Sequence, residues 1–240
     1  MSRIYDAMRR GAALEAAWRK LTTAGPGDAP RLDVVAEGYQ RVLHRIQSLQ
    51  AGKGPSAILI VSATHGEGAS TVARELAFLA ALPGLSKAVL VDANLRTPSQ
   101  HAAFGVERGS GLTEVVTQAL PLERAVRNGN RSPLPLLTSG RPASHPTGVL
   151  GAPALSAALD GLRAKYNLVI VDGSPATVYS DASILAPLMD GVVLVIQAER
   201  TRWEVAEQAK RVLEESGANL LGAVLSRRRF HIPKALYGWF

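Results

Sequence analysis

The chain has 240 residues, 47% of them hydrophobic but only 5% aromatic, so its core must be aliphatic. It contains no cysteine, which excludes a disulfide scaffold, a thiolate metal site and a cysteine nucleophile, and its five histidines form no H-x-x-x-H pair that would suit zinc. The formal charge of +7 favours an anionic partner (nucleic acid, acidic lipid, nucleotide or acidic protein), with plain solubility as the alternative.

From the N-terminus, Ile4, Met8, Ala12 and Ala16 recur at nearly helical spacing over Ser2 to Leu21. The opening MSRIYDAMRR carries no apolar signal segment, and no run of 18 apolar residues exists, so the expectation is a cytoplasmic protein that does not span a membrane. Thr22 to Pro30 is a breaker cluster that reads as a linker. A second helix is predicted from about Leu32 to Leu49, with Val35, Tyr39, Val42, Leu43 and Ile46 on one face. Residues 1–52 are therefore read as an N-terminal helical arm and linker, which either contacts a neighbour or packs on its own domain.

Strands and helices then alternate. The pattern predicts strands at 57–62, 87–92, 134–138, 167–172, 191–197 and 220–225, and helices at 70–81, 113–118, 152–165, 180–189 and 202–216. Strands that are apolar throughout, spaced by helices, indicate a doubly wound α/β fold with a mostly parallel sheet covered on both faces. The predicted domain spans 53–229, followed by a tail, 230–240. Arg124, Arg127, Arg131 and Arg141 flank a Pro/Gly-rich stretch, 127–148, read as surface; with no aromatic residues interleaved, it argues against nucleic acid.

The stretch Ser62 to Thr71, SATHGEGAST, joins the first strand to the first domain helix. Strand, glycine turn and helix are the setting of a phosphate-binding loop, where backbone N–H groups and the helix dipole converge on an anion. Nucleotide contacts are expected at Gly66, Glu67, Gly68, Ala69, Ser70 and Thr71. The pattern G-x-x-x-x-G-K-[ST] is broken twice, with Ala63 in place of the first glycine and Ala69 in place of the lysine. Two further strands end in aspartate, Asp92 and Asp172, at the carboxyl edge where open α/β sheets bind ligands. With Ser70 they form the expected Mg²⁺ ligand set.

The order GEGxST, LVDAxLRxP, GSGLTEVV and LVIVDGSPA…SDASILAPLMDGVVLVI resembles the bacterial tyrosine autokinases, in the MinD/ParA-like branch of P-loop proteins, from about Glu37 to Arg228. The resemblance implies a P-loop fold, ATP and Mg²⁺ binding, tyrosine phosphorylation in trans, and control of capsule or exopolysaccharide export beside a membrane-bound polysaccharide co-polymerase.

The chain departs from that pattern at each working position. Ala69 replaces the lysine that neutralises charge on the transferred phosphoryl group. Asn94 replaces the second aspartate of D-x-D, and an amide accepts no proton at neutral pH. The assembly helix E-x-x-R-x-x-R reads Glu37, Gln40, Leu43, with Arg41 and Arg45 out of phase. The tyrosine-rich tail has only Tyr237, and the N-R pair that resembles an adenine-contact position is Ser226-Arg227.

No catalytic residue is assigned. The expectation is a catalytically degenerate, regulatory or scaffolding member with weak or absent ATP/ADP and Mg²⁺ binding. The alternative is an active kinase or ATPase that recruits Arg74, Lys87 or Arg96 in place of the lysine. A ParA-type positioning ATPase would need an early loop lysine, which His65 and its neighbours do not supply. Expected partners are the co-polymerase or a cognate kinase. The basic cluster 226–229 and the apolar positions Ile232, Leu236, Trp239 and Phe240 either meet an acidic membrane surface or pack on the domain. The protein is expected to be peripheral to the inner membrane, and a monomer or small oligomer.

Overall fold

The computed structural model describes residues 32–50, 52, 54–82, 85–129 and 132–227. The predicted helix over Ser2 to Leu21, the linker after it and the tail 230–240 lie outside the described residues. The chain runs α1 (Leu32–Gln50), β1 (Ser56–Ser62), α2 (Ala69–Ala80), β2 (Ala88–Asp92), α3 (Gln100–Phe104), α4 (Leu112–Gln118), α5 (Leu122–Ala125), β3 (Val126–Gly129), β4 (Ser132–Leu137), α6 (Pro146–Leu150), α7 (Pro153–Arg163), β5 (Leu168–Asp172), α8 (Asp181–Leu185), a 3₁₀ turn (Ala186–Leu188), β6 (Gly191–Gln197), α9 (Trp203–Glu215) and β7 (Leu220–Ser226).

The seven strands form one sheet in the order β3-β4-β2-β5-β1-β6-β7. Every pairing is parallel except that of β3 with β4. β1, β2 and β5 are buried along their whole length, as their unbroken aliphatic runs require. Alternate residues divide between two cores. Leu59, Val61, Val91 and Val171 pack with α4, α7, α8 and α9; Ile58, Ile60, Leu90 and Ile170 pack with α1 and α2.

The helix drawn as part of an N-terminal arm lies on the domain itself. Leu43 and Ile46 of α1 are buried in the second core beside Leu76 and Leu79 of α2. Two such side chains contribute together about 3–6 kcal/mol, enough to hold a helix in place. Of the two readings of this helix, contact with a neighbour or packing on its own domain, the burial of Leu43 and Ile46 supports the second.

The stretch 127–148, read as surface, is in part interior. It contains the β3–β4 hairpin and α6, and Leu134, Leu136, Leu137, Thr138 and Ser139 are buried. Proline removes a ladder donor, so β4 pairs with β2 at only two positions, Leu90–Leu136 and Val91–Leu137. The helix expected over 180–189 stops at Leu185, because Pro187 lacks the N–H that would continue it. The short helices α3, α5 and α6 and the strand β3 carry too little periodicity to be legible.

Register places the site. Asp92 and Asp172 are paired positions on adjacent strands, and Ile60 pairs with Asp172 on the other side. Both aspartates continue the alternation of Leu90 and Ile170, so they face the α2 side of the sheet at its carboxyl edge.

Candidate functional site

β1 runs into the loop through Ala63, whose N–H donates to the Val195 carbonyl at 3.3 Å. Ala63 is buried and does not adopt positive φ, so the missing first glycine leaves the loop path intact. Gly66 and Gly68 do adopt positive φ, 79° and 93°, which glycine tolerates without strain. Gly68 ends the loop as N-cap of α2. The first helical bond is Val72 N–H to the Gly68 carbonyl, so the amides of Ala69, Ser70 and Thr71 precede the ladder, at the positive end of the dipole.

Glu67 is only 2% exposed and does not line the cleft. Its carboxylate accepts from the Thr64 N–H at 2.9 Å and from the Thr201 hydroxyl, and its carbonyl accepts from Ser226 Oγ at 2.5 Å. Glu67, expected to contact nucleotide, instead ties the loop to the turn after β6 through its side chain and to the end of β7 through its carbonyl. A glutamate flanked by glycines gives no hint of such an internal role.

The loop forms one wall of an open cleft of about 180 Å³. His65, Gly66, Gly68, Ala69, Ser70 and Thr71 line it from the loop, Asn94 and Thr97 from the end of β2, Gly173 and Pro175 from the end of β5, and Arg227 from the end of β7. Five of the six predicted loop residues are thus brought together.

Asp92 and Asp172, the predicted metal ligands, are both fully buried and do not line the cleft. Gln100 connects them: its Nε2 donates to Asp172 Oδ2 at 2.7 Å and to the Ser70 carbonyl at 2.9 Å, and its N–H donates to Asp92 Oδ2 at 3.1 Å. Burial raises both carboxyls above the ordinary carboxylate range, and the charge of Asp172 pushes Asp92 up further. The Ser70 hydroxyl stands on the Asp172 side and opposes that rise. Asp92 Oδ1 and Asp172 Oδ1 accept no hydrogen bond from the described residues. Two orphaned carboxylate oxygens beside a serine hydroxyl are the hard donors that Mg²⁺ takes, so the residues present fit that ion. Gln100 is not legible as a site residue in the sequence; it stands eight positions after Asp92, with no motif around it.

Asn94 Oδ1 is engaged in the fold, accepting from the Thr97 N–H at 3.1 Å, the Thr97 hydroxyl at 3.3 Å and Ser174 Oγ at 3.2 Å. None of the three cations proposed to replace the lysine lines the cleft. Arg96 grips the buried Asp181 through Nε and Nη2, both at 3.0 Å, with its guanidinium 4.8 Å from the Tyr179 ring. Lys87, just before the opposite end of β2, lies 5.5 Å from the Tyr166 ring. Arg74 sits a turn into α2, 3.6 Å from Glu75. Arg227, noted in the sequence for its resemblance to an adenine-contact position and as part of a basic cluster, is the arginine that lines the cleft among the described residues.

No family model matches the chain. It is 35% identical over 205 residues to the tyrosine-protein kinase YwqD of Bacillus subtilis (strain 168), covering 85% of this chain and 86% of the relative. The chain belongs to the bacterial tyrosine-protein kinases. Among solved structures, the chimerical protein CapA2B2 superposes with a TM-score of 0.77 at 27% identity, over 88% of this chain and 91% of that one. A putative plasmid partition protein from Borrelia burgdorferi B31 superposes with a TM-score of 0.57 at 20% identity, over 78% of this chain and 80% of that one, a likeness of fold. The P-loop fold, expected from the alternation of strands and helices and from the loop, is the fold observed.

Proposed function

We propose that this chain is a nucleotide-binding tyrosine-kinase relative with impaired phosphoryl transfer, a regulatory or scaffolding component of capsule or exopolysaccharide biosynthesis and export. The observation that carries this reading is Ala69. It opens α2 at the cleft wall with a side chain that ends at Cβ, while the loop around it keeps its shape. A lysine there would stabilise charge that develops on the transferred group, the main catalytic term in phosphoryl transfer. Asn94 adds a second deficit, since its amide cannot accept a proton from an attacking hydroxyl.

Binding and catalysis separate on this account. The amides of Ala69, Ser70 and Thr71 would hold phosphate of ATP or ADP, and Asp92, Asp172 and Ser70 would hold Mg²⁺, which when bound neutralises phosphate charge. No helix among the described residues is long and apolar enough to cross a membrane. On this reading the protein acts at the cytoplasmic face of the inner membrane through a partner: a membrane-bound polysaccharide co-polymerase or a cognate active kinase.

Incubation with ATP and Mg²⁺ followed by intact-mass measurement tests the reading, and no added phosphate is expected. Stoichiometric phosphotyrosine would establish the second reading, an active kinase with a non-standard loop.

A further inference from the structure

We propose that Arg227 supplies the phosphate-facing cation that the loop lacks at position 69. The inference rests on the nucleotide-binding reading above and names the residue that makes such binding tenable without a loop lysine.

Four observations converge on it. Arg227 lines the same cleft as Gly66, Gly68, Ala69 and Ser70. Its backbone is anchored to the loop: the preceding residue, Ser226, donates its hydroxyl to the Glu67 carbonyl at 2.5 Å, and a Cβ built on Gly68 would meet the Ser226 side chain at 3.9 Å. Arg227 therefore starts one Cα step, about 3.8 Å, from a residue in contact with the phosphate loop. Its backbone is left-handed, with φ of 51°, a conformation that non-glycine residues adopt at a cost and that clusters at ligand sites. Finally, its side chain is exposed, and no ion pair or hydrogen bond among the described residues engages its guanidinium, in contrast to that of Arg96.

The chemistry suits the place. Without a lysine, the loop offers backbone amides and a helix dipole equivalent to roughly half a charge. A guanidinium adds a full charge at any working pH and a planar fork of donors that matches two phosphate oxygens. Because it approaches from β7 rather than from inside the loop, it would steady a bound phosphate without standing where charge develops during transfer. Retained binding and impaired transfer are then compatible.

The test is calorimetric titration of ADP with Mg²⁺ into four proteins: wild type, Arg227→Ala, Ala69→Lys, and the double variant. Wild type is expected to bind, and Arg227→Ala to bind about tenfold more weakly, the loss of one charge-assisted contact. Ala69→Lys should improve affinity by a larger factor in the Arg227→Ala background than in wild type, because both cations serve the same phosphate. Position 227 is exposed, and thermal melts of each variant verify that the fold is kept. If wild type binds and Arg227→Ala binds equally well, the assignment fails while the nucleotide reading stands. If Arg227→Ala weakens binding but the two substitutions act independently, Arg227 serves another part of the nucleotide, and the assignment fails. If wild type does not bind ADP, the nucleotide reading falls and takes the assignment with it.

Discussion

Gln100 donates its side-chain amide to Asp172 at 2.7 Å from a position where it is itself fully buried. Its N–H donates to Asp92, so one residue holds both carboxyls of the candidate ion site in place before any ligand arrives. Each aspartate keeps one oxygen without a partner among the described residues. The pair is thus positioned but incompletely satisfied, as oxygens that would receive a cation are.

Removing that clamp exposes its worth. Gln100→Leu takes the side-chain donor from Asp172 and the Ser70 carbonyl and leaves both buried. A loss of about 1–3 kcal/mol is expected for buried polar groups left unsatisfied. Urea unfolding of the nucleotide-free protein measures it, and an unchanged midpoint would show that the amide contributes nothing to holding the pair.

The loop itself can be interrogated by restoring what it lacks. Ala69 lines the cleft at the first position of α2, so Ala69→Lys sends an ammonium among the loop amides. A contact of this kind contributes about 1.5–3 kcal/mol, roughly tenfold or more in nucleotide affinity. Affinity that does not move would mean that the loop no longer cradles phosphate, whatever its backbone path.

Glu75 gives a pH dependence that has nothing to do with ligand. It is 2% exposed, its carboxylate accepts no hydrogen bond among the described residues, and Arg74 Nε stands 3.6 Å away, too far to donate one. Burial raises its pKa above 4.5, with Arg74 opposing the rise. The same burial, together with the Glu75 charge, pushes the neighbouring Tyr39 hydroxyl up to about 12. An acid whose folded pKa is raised binds its proton more tightly in the folded state. Its contribution is therefore complete at low pH and is lost as pH rises from the ordinary carboxylate range through the raised value. Glu75→Gln has no proton to lose. The variant should gain on wild type as pH rises above the ordinary carboxylate range. Asp92 and Asp172 titrate in both proteins, so the difference in urea midpoints isolates Glu75. A difference that stays constant with pH would refute the account.

The parts of the molecule that are legible in the sequence are those with a repeating signal. β1, β2, β5 and β6 announce themselves as aliphatic runs, and Gly66 and Gly68 mark the loop because only glycine takes their φ values freely. Asp92 and Asp172 are legible because each ends an apolar strand. What escapes notice works through tertiary contact alone. Gln100 acts on residues 30 and 72 positions away, and Ser226 reaches Glu67 across 159. Glu67 is a charged residue in a glycine turn, a pattern that suggests a surface, yet three partners from the loop, β7 and the turn after β6 draw it inward. The β3–β4 hairpin is obscured by Pro133 and Pro135, whose missing donors leave it short and at the sheet edge.

Assembly turns on Leu43. In the family pattern this position belongs to a charged helix used to build rings, and its replacement here invites a reading as altered surface. In the structure Leu43 is 4% exposed and packs in the core with Ile46 of α1 and the apolar face of α2. Position 43 therefore serves intramolecular packing and offers nothing to a neighbouring subunit. Arg41 and Arg45 are exposed on α1, but they stand two positions either side of Leu43 and point away from the face it occupies. A ring held by arginine–carboxylate pairs at that register has no arginine to use. The protein should run as a monomer or small oligomer in light scattering across a concentration series. Leu43→Arg should not restore a ring; it should place an uncompensated charge in the core and destabilise the fold by about 3–5 kcal/mol. A discrete ring of many subunits at micromolar concentration in wild type would show that the helix meets its neighbour through another face, and ring formation by Leu43→Arg without loss of stability would show that position 43 is not committed to the core.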